Sequence, residues 1–303
     1  MSVLIVALCH SAYATDEVIP SYRIAILVSL KIRPYLEALE GMENSIGIIK
    51  TMEKDVFFLD DIGEDNLEAF GQKLKKMSFD CFISVGPEAT KFTWQTFPDD
   101  AVTKLFTMVL NPDNIIQSLT SFCGVSLNIP IATQVRLISG ILPGVKTIGL
   151  LFDRMQNAEF FNTASASATA LGLIIKPMEV STPKELSSVL SKHWAHIDLL
   201  WLIPDHTVIT ESLVRFMIKE AISNEIPVAG YNSFFYQSGA GIAFVTDYTE
   251  TGRKTIVVLQ DILSGVPCNV NEPFFETWVN ERVLKKLNKP FIEHADEGVR
   301  GGP

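Results

Sequence analysis

Cysteine is scarce, with four in 303 residues and no CxxC pair, so no disulfide framework or thiolate metal knuckle can be read from the spacing. Basic clusters are missing too. No run of Lys or Arg exceeds two, and the net charge is −10, which argues against nucleic acid or an anionic membrane as partner. After the first residues, no segment reaches the roughly 20 uninterrupted apolar residues that span a bilayer. Catalytic signatures are also lacking: there is no GxSxG elbow, no GxxxxGK[ST] loop and no GxGxxG after the first strand-like run. His193 and His196 in KHWAH have no third ligand at a usable spacing, and His206 beside Asp205 has no nucleophile to serve. No catalytic residue, metal or cofactor is therefore assigned, and an enzyme is not expected.

What is present is a core. Hydrophobic residues make up 47% and charged residues 20%, the composition of an ordinary globular chain long enough for one large domain or two of average size. Short apolar runs alternate with amphipathic segments, the pattern of parallel α/β sheets. The runs are Arg23–Val28, Val56–Leu59, Cys81–Val85, Leu105–Val109, Thr147–Phe152, Leu173–Met178, Leu199–Ile203, Pro227–Gly230 and Ile242–Thr246. Helices are expected near 34–47, 64–77, 87–95, 131–142, 157–171, 183–193, 210–224 and 249–264. Arg23–Leu30 leading into Pro34, and Lys146–Arg154 leading into Asn157, form a weak repeat that predicts two similar doubly wound lobes, with a boundary near Gly124–Pro130. The opening MSVLIVALCHSAYA reads as a secretory signal cleaved after Ala14, with Ala12–Tyr13–Ala14 in the small-x-small pattern. In the oxidising compartment this implies, Cys81, Cys123 and Cys268 could form at most one bridge, and core thiols are the expectation.

Candidate binding groups collect where strands end. Gly86 and Pro87 open a helix whose first amides, on Glu88, Ala89 and Thr90, could hold a carboxylate or phosphate. Ser29 and Tyr35 flank the first strand's end, a hydroxyl donor and a ring. In the second half Asp205, Asn232 and Asp247 follow strands and could hold a ligand ammonium, with Phe234 placed to stack on an apolar or aromatic moiety. An Asp in such a position is equally a helix cap.

Taken in order, PYLEALEGM, SVGPEAT, CGVSLNIPIATQVRLISGILPGVKTIGLLFD, IPDHTVIT, IPVAGYNSFF, SGAGIAFVTDYTETGRKT and NERVLKKLNKPF resemble the ABC transporter substrate-binding proteins whose better-known members bind tryptophan and other aromatic amino acids. The resemblance spans about residues 23–292. It implies the type I periplasmic binding fold, two doubly wound lobes on a three-segment hinge. The expected units are a signal peptide at 1–14, a first lobe at 15–126 plus 248–272, a second at 127–247 plus 273–292, and a flexible tail at 293–303. It also implies pocket roles for Ser29, Tyr35, Gly86, Glu88, Ala89, Thr90, Asp205, Asn232 and Asp247. The pattern departs at Asp153–Asn157, where Asn-Pro is usual, at Asn111–Asp113, where Asp-Pro-Val is usual, and at Asn232, where many members carry Asp. Asp153 and Asn157 stand on that altered edge and join the candidate set.

The function implied is that of a periplasmic monomer, free or tethered. It captures an amino acid or related carboxylate by hinge closure and delivers it to an ABC permease with its ATPase. The alternative partner is a membrane histidine kinase or chemoreceptor. On this reading Asp205→Ala or Asp247→Ala lowers affinity and leaves the melting temperature of the ligand-free protein nearly unchanged.

Overall fold

The computed structural model describes residues 21–98, 102–116, 123–292 and 299–301. The expected signal peptide lies outside them, as does most of the expected tail. The described residues open with β1 (Tyr22–Val28), α1 (Arg33–Ile46), β2 (Met52–Phe58), α2 (Leu59–Ile62), α3 (Leu67–Lys75), β3 (Cys81–Val85), α4 (Pro87–Thr96), β4 (Thr103–Val109) and β5 (Cys123–Ser126). It continues through α5 (Ile131–Ile141), β6 (Thr147–Phe152), α6 (Arg154–Thr169), β7 (Ile174–Glu179), α7 (Leu186–His193), β8 (Leu199–Leu202), α8 (Glu211–Ser223), β9 (Val228–Gly230), α9 (Ser233–Gln237) and β10 (Ile242–Thr246). Last come α10 (Tyr248–Leu263), β11 (Val270–Asn271), β12 (Phe275–Val279), α11 (Glu281–Lys286) and β13 (Val299–Gly301).

Two sheets result. The first has the order β11-β5-β4-β3-β1-β2 and is parallel throughout. The second has the order β13-β12-β10-β9-β8-β6-β7 and is parallel except where β12 runs against β10. Central strands are apolar on both faces because helices cover both. Ile24, Ile26 and Val28 of β1 pack under α1 and α10, while Ala25 and Leu27 face α3 and α4. In the second sheet Ile148, Leu150 and Phe152 face α5 and α6, and Leu151, Leu200 and Leu202 face α7 and α8.

The chain crosses between the sheets after β5, after β10 and after β11. Helix α10 belongs to the first sheet's core, held by Ile256 and Leu259 and by the buried Thr255 hydroxyl donating to Thr107 Oγ1 at 3.0 Å. It meets α1 with no side chain between them: a Cβ on Gly252 would stand 2.0 Å from the Ala38 carbonyl oxygen, and one on Gly41 2.0 Å from that of Thr249.

Several expectations need correction. Residues 123–126, read as part of a crossover, form the fifth strand, and 275–279, read as another, form an antiparallel strand of the second sheet. The helix expected near 64–77 opens as a 3-10 turn at Glu64–Asn66 and is α-helical only over α3, and the short α2 before it, ending ahead of Gly63 with its φ of +75°, was not expected. Residues 299–301, expected to be frayed, pair with β12, whose outer edge would otherwise expose unpaired backbone groups. Cysteine pairing also differs. Cys123 and Cys268 are bonded to each other, because β11 lies beside β5, and only Cys81 stays a buried thiol among the described residues.

Candidate functional site

In open α/β sheets ligands bind beyond the carboxyl ends of the strands, at the point where strand order reverses. In the first sheet that point lies between β1 and β3, where Val28 is level with Val85. Ser29 and Gly86 follow, and the Ser29 amide donates to the Val85 carbonyl at 2.9 Å. Gly86 has φ +89° and permits close approach. A Cβ there would fall 2.7 Å from both Ser29 Oγ and the Tyr35 ring, so a side chain is excluded by conformation and by space. Pro87 then starts α4 without wasting an N–H.

The amides of that loop are not all available. Ala89 N–H donates to the buried Ser29 hydroxyl at 2.9 Å, and Thr90 N–H and Oγ1–H both turn back onto the Gly86 carbonyl. Ala89 and Thr90 are wholly buried. Glu88 N–H is left with no acceptor among the described residues, and Ser29 keeps its own hydroxyl proton to give, polarised by the bond it accepts. Tyr35 lies half-buried beside them, its phenol pKa raised by burial and by the neighbouring Glu88 carboxylate.

The second sheet reverses between β6 and β8, and there Asp153 and Asp205 meet. Asp205 is 3% exposed and accepts from Asp153 N–H at 2.7 Å, Asn157 Nδ2 at 2.9 Å and Thr207 N–H at 2.9 Å. Asp153, also buried, caps α6 by accepting from Met155 N–H at 2.9 Å and takes the Thr207 hydroxyl at 2.8 Å. Gln156 donates to that same hydroxyl, and Asn157 leaves helical geometry (φ −125°, ψ 25°) to reach across to Asp205. Thus Asp153, Asn157 and Asp205, each a candidate ligand contact, are brought together and engaged with one another. They brace the β6–α6 and post-β8 loops.

Asn232 caps α9 through Oδ1, accepting from Phe234 and Phe235 N–H, which leaves its amide hydrogens for other use. Phe234 has one face under the Arg215 guanidinium, 4.9 Å from the ring centroid. Asp247 caps α10 through one oxygen, which accepts from Glu250 N–H at 2.9 Å. Its second oxygen has no hydrogen-bond donor among the described residues.

Two tyrosines were missed by the sequence reading, though each directly precedes or follows a candidate already named. Tyr231 packs on the second lobe's core with Phe234, and Tyr248 packs on the first lobe's core with Tyr35. The Tyr231 phenol is pushed up to about 12, first by burial and then by the charges of Asp205 and Tyr248. Burial, with Glu37 behind it, also raises Tyr248. Tyr231 therefore lies within electrostatic reach of both Asp205 and Tyr248, rings from the two cores on either side of the second crossover. Two grooves of about 560 and 690 Å³ open on the flanks of α4; they share Glu88 with this set but include neither Ser29 nor any of the tyrosines. No group of three or more His, Cys, Asp or Glu arranged to hold a metal occurs among the described residues.

The sequence profile of the ABC transporter substrate binding proteins matches residues 101–288, more than half of the chain. No curated protein matches. Among solved structures, the chain is similar to a protein from Streptococcus pneumonia in complex with L-Trp, at 18% identity and a TM-score of 0.60, over 92% of this chain and 98% of that one. It is similar to a ligand-free, open substrate binding protein with adhesive properties from Clostridium difficile, at 18% identity and a TM-score of 0.76, over 93% and 99%. A glucose-galactose binding protein from Geobacillus stearothermophilus shares 12% identity with a TM-score of 0.52, over 85% and 96%. These likenesses are of fold, the two-lobed type I periplasmic binding architecture.

Proposed function

The chain belongs to the ABC transporter substrate-binding protein family, and from that premise we propose that it captures an amino acid or related small carboxylate between its lobes, outside the cytoplasm, and presents it to an ABC permease with its ATPase. The observation that carries this reading is the pairing of two strand-order reversals, Ser29 and Gly86 in one sheet and Asp153 and Asp205 in the other, with Tyr35, Tyr231 and Tyr248 beside them. Ser29 Oγ–H and Glu88 N–H are donors suited to a ligand carboxylate. The second oxygen of Asp247 suits an ammonium. The Asn232 amide can donate to any acceptor the ligand carries, and the tyrosines supply amphipathic walls.

Closure follows from differential contact: a ligand touching both lobes stabilises the closed arrangement and does little for the open one. We take the lobes as 15–126 plus 248–272 and 127–247 plus 273–292. The family is one of solute capture, not of turnover. The Cys123–Cys268 bond supports an oxidising, extracytoplasmic setting, since such bonds are rare in the cytosol.

Thermal melting of residues 15–303 against amino acids, small carboxylates and sugars tests the ligand class. A ligand at 100 times its Kd stabilises by about 2.7 kcal/mol, readily seen as a raised Tm. A selective rise with an amino acid is expected. A rise only with a sugar would overturn the carboxylate assignment.

A further inference from the structure

Two of the three crossovers leave the first lobe side by side. Cys123 opens β5, which runs into the crossover at Leu127, and Cys268 stands just before β11, which runs into the crossover at Glu272. Each cysteine thus lies four residues upstream of its exit. Strand β5 is firmly seated. It pairs along its length with β4, and Gly124 presses so closely on Phe106 that a Cβ would stand 1.9 Å from the Phe106 carbonyl oxygen.

Strand β11 is not seated in this way. It has two residues, Val270 and Asn271, paired with Gly124 and Val125. Beside that pairing two further hydrogen bonds are long, 3.4 Å from Gly124 N–H to the Asn269 carbonyl and 3.5 Å from Asn271 Nδ2 to the Gly124 carbonyl. Residues 264–267, 269 and 270 are exposed, so little apolar burial holds the segment down. Past the exit it is tied to the second crossover by Asp247 N–H, which donates to the Phe274 carbonyl at 3.0 Å, and to α10 by Lys254 Nζ, which donates to that of Glu272 at 2.7 Å.

We infer that the Cys123–Cys268 bond is a hinge clamp: it fixes the base of the third crossover to that of the first, so that the lobes turn about crossovers with one common anchor. The inference rests on the two-lobed closure reading above but not on the identity of any ligand. A two-residue edge strand with exposed flanks cannot by itself set where a pivot begins. The covalent link does, and the Asp247–Phe274 bond carries the constraint to the second crossover. Cys81 offers no competing partner, since it is wholly buried and its thiol is shifted upward by burial.

Amide hydrogen exchange on the ligand-free protein, oxidised against Cys123→Ser/Cys268→Ser, tests this. Peptides covering 264–274 are expected to exchange at least tenfold faster in the variant, with α1 and α10 unchanged, and small-angle scattering is expected to give a broader pair-distance distribution. Unchanged exchange at 264–274 would overturn the clamp, as would faster exchange there with an unchanged scattering profile. Faster exchange spread evenly over the first lobe would also overturn it, by making the bond a general staple. If the double variant does not fold, the same two measurements on the native chain before and after phosphine reduction decide the matter by the same outcomes. Absence of any ligand response in the melting screen would count against the solute-capture reading alone, since neither measurement here uses a ligand.

Discussion

Replacing Asp205 with Ala separates a brace from a ligand contact. The carboxylate is 3% exposed and receives three hydrogen bonds, from Asp153 N–H at 2.7 Å and from Asn157 Nδ2 and Thr207 N–H at 2.9 Å each. Hydrogen bonds to a charged group contribute about 1.5–3 kcal/mol net, and an abandoned buried donor costs about 1–3 kcal/mol. The losses do not add in full. Asn157 keeps a long bond to the Pro204 carbonyl at 3.4 Å, and the half-buried Thr207 amide can find water. The Asp153 amide, on a buried residue, cannot. A loss of about 3–5 kcal/mol is expected, within the range of broken buried networks. At roughly 2 °C per kcal/mol for a chain this long, the Tm falls by about 6–10 °C.

Asp205→Asn recovers little, because its amide nitrogen must face either the Asp153 and Asn157 donors or the Thr207 donor. Urea denaturation and thermal melting of the ligand-free protein read this directly. The expectation drawn from sequence, weakened binding with an unchanged melting temperature, is thereby replaced for this residue. An Asp205→Ala protein that melts within 1 °C of the parent would refute the argument and return Asp205 to the ligand.

Asp247 behaves oppositely under a chosen substitution. Asp247→Asn retains an oxygen to cap α10, so the Tm is expected to hold within about 1 °C while affinity for an ammonium-bearing ligand falls at least tenfold by calorimetry; Asp247→Ala would also lose the cap, at about 1 kcal/mol. Gly252→Ala must force α10 from α1, because the obstacle 2.0 Å away is backbone; a loss of at least about 1–3 kcal/mol in urea denaturation is expected. Tyr231 gives a pH signature. Its folded pKa is raised from 10.0 to about 12, so its contribution is complete below pH 10 and is lost as pH rises towards 12, where the unfolded chain ionises first. Relative to Tyr231→Phe, the parent should lose stability only in that window, followed by denaturant melts from pH 8 to 12.

Local chemistry was legible and long-range pairing was not. Gly86–Pro87 announces a strand-to-helix turn because one residue supplies φ +89° and the next tolerates the missing N–H, and both facts are written in adjacent letters. Asp247 before a helix reads as a cap for the same reason. Asp205 reads identically in sequence, yet its fate is decided by the amide of Asp153, 52 residues away, which arrives only because β6 and β8 are neighbours. The tyrosines illustrate a different limit. Tyr231 precedes Asn232 and Tyr248 follows Asp247, so a search of every residue within two positions of a strand end would have found them, whereas a search that took only the polar residue at each of these ends passes over the phenol beside it. The cysteines lie at the far extreme. A separation of 145 residues carries no spacing signal, and the bond follows from a two-residue strand too short for any hydrophobic period to reveal. Elements set by one turn of chain can be read from that turn. A site assembled where strand order reverses depends on which strands lie side by side, so its residue types can be listed in advance while the division into those that brace and those that bind waits on the fold.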